Sequence, residues 1–169
     1  MSESTRMDQA VKALTIKTGK YLTFFLEKEE YGIGILKVKE IIGMMPITSV
    51  PRTPGYVKGV INLRGKVIPV IDLRMKFDME PIEYSERTCI IVVEIDSEES
   101  TVLIGIVVDA VSEVLNIKEN EIEDTPTFGT RLNTEYILGM AKKEDGVKIL
   151  LNIDKVLSRE EIAILEQTA

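Results

Sequence analysis

Apolar residues along this chain fall into short runs of five to eight, separated by charged or glycine-rich breaks, a spacing that predicts β-strands rather than helices. Tyr21–Leu26 and Tyr31–Ile35 read as a hairpin across the charged turn Glu27–Glu30, and Leu36–Ile42 fits either a helical turn or a strand ended by Gly43. Ile47–Val50 is a short extended piece. Thr53 and Pro54 have the N-cap and first-turn residue types of a helix running through Val60. The strand Val67–Ile71 follows; its Pro69 cannot donate to a ladder, which predicts an edge or a bulge. Asp72 is placed to cap a short helix through Phe77. After the polar stretch Met79–Arg87 come strands Cys89–Ile95 and Thr101–Val108, and Ser158–Leu165 carries a Ser-x-x-Glu capping box before an apolar face.

The pattern repeats. Ile33-Gly34-Ile35 recurs as Ile104-Gly105-Ile106 at an offset of 71, and Val38-Lys-Glu-Ile-Ile42 as Val111-Ser-Glu-Val-Leu115 at 73. Tyr56-Val-Lys-Gly59 recurs as Tyr136-Ile-Leu-Gly139 at 80, and Ile71-Asp72 as Ile153-Asp154 at 82. Offsets that only grow are the trace of a tandem duplication. The expected organisation is a tail over 1–18, one small β-barrel over 19–88 that is free to exchange strands with a second over 89–157, and a terminal helix over 158–169. A groove is expected where the barrels meet.

Between Tyr56 and Leu73 an apolar run holds Arg64 between Asn62-Leu63 and Gly65. The residues leave two readings open: a hairpin tip with Gly65 at positive φ and Arg64 in water, or a buried arginine satisfied by carboxylates and carbonyls.

Composition narrows the chemistry. Of 169 residues 44% are hydrophobic, enough for a real core, and the formal charge of −7 disfavours nucleic acid or anionic lipid as a partner. There is no histidine and one cysteine, Cys89, so the commonest general base and the usual zinc ligands are missing. No cofactor, metal or membrane span is expected, and neither a phosphate-binding loop nor a nucleophile elbow is present. The acids cluster in turn-like stretches, where solvation explains them. Surfaces, rather than a reacting centre, are left to carry function, in a reducing cytoplasm.

Glu30–Ile41, Gly59-Val-Ile-Asn-Leu-Arg-Gly65, Ile68-Pro-Val-Ile-Asp-Leu-Arg74, Gly105–Asp109 and Leu132–Tyr136 closely resemble the bacterial chemotaxis coupling proteins, the CheW family, over about residues 20 to 166. The resemblance implies a mainly β fold of two intertwined five-stranded Src-homology-3-like barrels related by a pseudo-twofold, with short helices and a C-terminal helix. It implies a non-catalytic scaffold coupling transmembrane chemoreceptors to the histidine kinase CheA at membrane-associated receptor arrays. The receptor's helical tip would dock in the groove, on Val38, Val111, Val114 and Gly105, with Ile61 and Val93 also candidates. The kinase's regulatory domain would pack on barrel ends at Glu40, Ile41, Gly59 and Phe128. Arg64 is then expected buried and bracing the groove, with Gly65, Pro69 and Asp72 structural. Met140–Lys143 stands where the second half would carry its own Asn-Leu-Arg-Gly.

Overall fold

The computed structural model describes residues 18–96, 100–124 and 135–168, so the tail over 1–17 and Phe128 lie outside the described residues. Its strands are β1 (Gly19–Leu26), β2 (Glu29–Gly34), β3 (Val38–Gly43), β4 (Val57–Leu63), β5 (Lys66–Asp72), β6 (Cys89–Asp96), β7 (Thr101–Val108), β8 (Ala110–Ile117), β9 (Ile122–Glu123), β10 (Ile137–Lys143) and β11 (Gly146–Leu151). Helices are short until the end: α1 (Leu73–Lys76), α2 (Ile153–Val156) and α3 (Arg159–Thr168). The segment left open between helix and strand divides into a 3-10 turn, Ile35–Lys37, followed by β3.

Two Src-homology-3-like barrels result, one from a sheet ordered β8-β1-β2-β11-β10-β9, the other from β3-β6-β7-β5-β4. Strands do not partition as 19–88 and 89–157. The hairpin β1–β2 is inserted between β8 and β11 of the second half, and β6–β7 between β3 and β5 of the first. Each insertion is closed by a parallel ladder, β2 with β11 (Gly32↔Leu150, Ile33↔Leu151) and β5 with β7 (Val70↔Gly105, Ile71↔Ile106).

These ladders fix the true equivalences, which correct two of the sequence offsets. Gly105 stands opposite Val70 as Gly32 stands opposite Leu150, so β2 maps onto β7 at 73, not 71. Asp72 and Asn152 both follow their strand into a short helix, and their amides reach Tyr56 O and Tyr136 O at 2.8 Å, which makes that offset 80, not 82. Short apolar words such as Ile-Gly-Ile match in more than one register, and only the cross-strand partner decides between them. The sixth strand is also a product of the repeat. β9 pairs at Glu123↔Met140, the place where the first half has a single bridge, Thr48↔Val60.

Inner strands bury both faces. Along β6, Ile90 and Val92 enter one barrel with Ile61, Ile68, Val70 and Val107, whereas Ile91, Val93 and Ile95 face the other sheet. Along β1, Tyr21 fills the second barrel with Ile117, Ala141 and Leu150, whereas Leu22, Phe24 and Leu26 face the seam. Among the described residues, twenty buried ones form that seam, against six and four in the barrel interiors, so the joint between the barrels is their main core. Rings of Phe24, Tyr31, Phe77 and Tyr136 stack through it, with centroids 6.0, 6.2 and 5.0 Å apart.

The expected helix from Thr53 is absent. Thr53 turns its hydroxyl back to Val50 O at 2.9 Å, Val57 N closes a turn onto Pro54 O at 3.0 Å, and β4 begins. Gly59 forbids a helix there: its φ is +141°, and a Cβ on it would lie 2.0 Å from Thr48 O. Pro69 is neither on an edge nor at a bulge. It sits opposite Val60 in β5, just before the β7 ladder starts at Val70, where a missing N–H leaves no partner unsatisfied. Asp72 caps α1 as expected, its Oδ1 accepting from Arg74 N and Met75 N at 3.0 and 3.3 Å.

Ser158 and Glu161 form the capping box of α3, Ser158 Oγ accepting from Glu161 N at 3.1 Å and Glu161 Oε1 from Ser158 N at 2.9 Å. Glu161 Oε2 also accepts from Lys76 Nζ at 2.8 Å and from the Tyr56 hydroxyl, which fastens α3 to the first half. Burial works against the Glu161 carboxylate, but the bonds from Lys76, the Ser158 amide and Tyr56 outweigh it and hold its pKa at about 2 against an ordinary 4.5.

A depressed folded pKa gives stability that is full above the ordinary value and lost as pH falls through the folded one. Unfolding followed by denaturant titration should therefore show a Glu161-dependent loss between about pH 4.5 and pH 2, absent in Glu161→Gln. Gly59→Ala should cost roughly 3 kcal/mol, because strain and a backbone clash add. Gly65→Ala, at φ +86° with open space around it, should cost about 1–2 kcal/mol; equal losses at the two glycines would contradict the close approach at Thr48.

Candidate functional site

β3 and β8 are the outer strands of their sheets, β3 pairing with β6 and β8 with β1. The two ladders slip at equivalent places, between Val38 and Glu40 against β6 and between Leu22 and Phe24 against β8. A bulge at the same point bends both edges alike. Val38 and Val111, related by the offset of 73, are half-buried against the seam core. Three residues further on, Ile41 and Val114 stand 44% and 50% exposed. An aliphatic side chain held in water at both members of an equivalent pair is a surface suited to a partner, since each such group gains roughly 1.5–3 kcal/mol on full burial.

The hairpin β4–β5 turns on Arg64 and Gly65, with φ of +51° and +86°, the two positive values of a type I′ turn. Gly65 N donates to Asn62 Oδ1 at 2.9 Å. Arg64 is therefore not buried: its side chain is 71% exposed, and its Nη2 reaches both oxygens of Glu40 at 2.6 and 2.8 Å. The hairpin tip is thus tied across to the edge strand β3. The buried, paired arginine is Arg74 instead. Its side chain is 10% exposed, Nε and Nη2 hold Asp109 bidentately at 2.7 and 2.6 Å, and Nη1 donates to Glu80 O at 2.9 Å.

The opposite pole has a different charge plan. Glu113 and Glu144 occupy the positions equivalent to Glu40 and Arg64, so no cross-tie of opposite charges forms between them. Lys143 and Lys142 pair instead with Glu121 and Glu123 at 2.8 and 2.7 Å. The bond from Lys143, with that from the Lys118 amide, holds the Glu121 carboxyl below its usual range.

Three candidates are core rather than surface. Ile61 is 1% and Val93 0% exposed, and Gly105 is buried with Ile90 and Val70 against it. They support β3 and β5 from inside and cannot touch a partner in this conformation. Gly59 is likewise buried under Thr48. Glu40 and Ile41 reach the surface, and Phe128 lies outside the described residues. The sequence reading missed Val67 and Val147, 50% and 51% exposed, and Leu36 at 87%. The first two stand at the offset of 80 that Tyr56 and Tyr136 already gave, so comparing residues pairwise at that spacing would have exposed them.

Breaking the two arginine pairs should separate their roles. Arg64→Ala should change stability by less than about 1 kcal/mol, as for an exposed pair. Arg74→Ala, which strands Asp109 and the Glu80 carbonyl, should cost roughly 3 kcal/mol. Urea titrations of both variants test this, and a larger loss at Arg64 would reverse the assignment.

Comparison with known proteins agrees with this arrangement. The CheW-like domain family matches residues 20–161. The chain is 43% identical over 150 residues to the chemotaxis protein CheW of Klebsiella aerogenes, covering 89% of this chain and 88% of that one. It is 35% identical over 147 residues to the chemotaxis protein CheW of Bacillus subtilis, covering 86% and 91%. The crystal structure of the scaffolding protein TtCheW from Thermoanaerobacter tengcongensis superposes with a TM-score of 0.74 at 38% identity, covering 85% of this chain and 95% of that one. With the strand exchange, the paired edges and these likenesses agreeing from residue 20 onward, the chain belongs to the CheW family.

Proposed function

We propose that this chain is a non-catalytic adaptor of bacterial chemotaxis, coupling chemoreceptors to the histidine kinase CheA and recruited with them to membrane-associated arrays. Family membership over nearly the whole folded chain carries the reading. The paired apolar residues of the two edge strands supply its physical means. No described helix is long and apolar enough to cross a membrane, so in this reading attachment runs through the receptors.

Val38 and Val111, packed on the seam, and the exposed Val114 form the receptor face, laid against a helical hairpin tip. Ile41, with the Glu40–Arg64 tie beside it, forms the face for the kinase's regulatory domain. Gly59, Ile61, Val93 and Gly105 act from beneath by fixing strand positions, so substitutions there lower binding through stability. Two faces of different charge on one rigid frame allow both partners to be held at once.

The test is reconstitution with a receptor cytoplasmic fragment and CheA. A ternary complex with raised kinase activity is expected, and retention of neither partner at micromolar concentration would sink the proposal. Val114→Asp should weaken receptor binding at least tenfold, about 1.4 kcal/mol, and leave kinase binding and the melting transition unchanged. Ile41→Asp should do the reverse, and loss of both partners in either variant would merge the two faces into one.

A further inference from the structure

Three of the ion pairs that join the two halves stand at places the internal repeat relates to one another. Arg74 on α1 holds Asp109 in the turn after β7 at 2.6 Å, and Lys37 in the turn after β2 holds Asp154 on α2 at 2.8 Å. Lys148 on β11 holds Glu30 on β2 at 2.6 Å, with side chains only 4% and 12% exposed. Lys148 shares a strand face with Leu150, which fills the second barrel, and the same two places in the first barrel belong to Ile68 and Val70. Each of the three pairs takes one partner from residues 19–88 and the other from 89–157, so each exists only because the hairpins are exchanged.

The repeat also offers the chain a second arrangement. Since β1–β2 is the counterpart of β6–β7, each hairpin has an alternative place on the strands of its own half, β2 on β5 and β7 on β11, with the same backbone plan. Aliphatic packing separates the two arrangements poorly, because Ile, Val and Leu fill equivalent places in both halves. The charges separate them well. Ile68 is the counterpart of Lys148 at the offset of 80, and Leu103 that of Glu30 at 73. Unexchanged, Glu30 would stand on Ile68 and Lys148 on Leu103, each ion without its opposite number in a barrel interior. Asp145, 3.2 Å from Lys148 in the same hairpin, follows it in either arrangement, so Glu30 is the partner that discriminates. At the helices, the turn after β2 would meet α1 and the turn after β7 would meet α2, setting Lys37 against Arg74 and Asp109 against Asp154. We propose that this reversal of polarity between the halves selects the exchanged topology, with Glu30, Lys37, Arg74, Asp109, Lys148 and Asp154 as the residues that reject the unexchanged one.

Disulfide trapping in the full chain reads the arrangement. In a Cys89→Ala background, Glu29→Cys with Val147→Cys bridges β2 to β11, one step before the Lys148↔Glu30 pair. Glu29→Cys with Val67→Cys bridges β2 to β5 instead, since Val67 is the counterpart of Val147, and all three positions are exposed. Each protein is refolded from urea under reducing conditions, then oxidised, and its intrachain bridge is measured on a non-reducing gel. With the native charges the bridge to position 147 should close and that to position 67 should stay at the detection limit. Lys37→Asp with Asp154→Arg keeps opposite charges together in the exchanged chain but also makes them opposite in the unexchanged one. Glu30→Leu with Lys148→Ile gives the second barrel the residues that the first already packs. With all four substitutions the bridge to position 67 should rise about tenfold or more above its native level. A bridge to position 67 that stays at its native level in the four-fold variant would overturn the proposal, as would equal closure of both bridges with the native charges. Loss of cooperative urea unfolding in either two-fold variant would overturn it as well, because the pairs would then be holding the fold up rather than choosing between two folds.

Discussion

The reciprocal insertion of two hairpins is the constraint from which the rest of the structure follows. A hairpin has two outer edges of unpaired N–H and C=O groups, and once buried those groups must find partners. β1–β2 finds them in β8 and β11, and β6–β7 in β3 and β5, so each half supplies the backbone partners of the other. Every inner strand is then covered on both faces, by a barrel interior on one side and the seam on the other. That is why Ile90–Val93 and Ile104–Val108 are continuous apolar runs instead of alternating ones.

Runs of that kind made the strands legible, and their recurrence made the duplication legible. Register was not. Gly34 and Gly105 share a tripeptide, yet Gly32 is the residue in the equivalent place, because the pairing is set by a strand 118 residues away, Leu150 facing Gly32. The same distance effect misplaced the buried charge. The local reading of Asn62–Lys66 as a hairpin tip with Arg64 in water is the one that forms, whereas the enclosure of Arg74 depends on Asp109 arriving beside α1. Thr53-Pro54 has the composition of a helix start, but the positive φ of Gly59 and the bridge to Thr48 take that backbone into a sheet. Ile61, Val93 and Gly105, expected at the groove, are interior, since burial on the second face is a property of the assembled pair.

The repeat holds the backbone to a common plan and leaves polar partners free to change. Arg74 on α1 meets Asp109 in the turn after β7. In the other half the charges are reversed, Asp154 on α2 meeting Lys37 in the turn after β2 at 2.8 Å. On the exchanged ladders, Lys148 and Glu30 are direct neighbours 2.6 Å apart, where the first barrel has Ile68 and Leu103 in the corresponding places. Shape is thus conserved between halves by apolar packing and hydrogen-bonded strands, whereas charge differs from pole to pole.

Synthesis proceeds from the amino end, and the inserted hairpins set a schedule for it. β1 and β2 leave the ribosome early, but their sheet neighbours begin at Ala110 and end at Leu151. A nascent chain that stops short of Ala110 has no native partner to lay against either edge of its first hairpin, which stays unpaired on both sides until β8 and β11 emerge. The sheet β3-β6-β7-β5-β4 has all its strands once Val108 has emerged, so one lobe can pair while the first hairpin still lacks both neighbours.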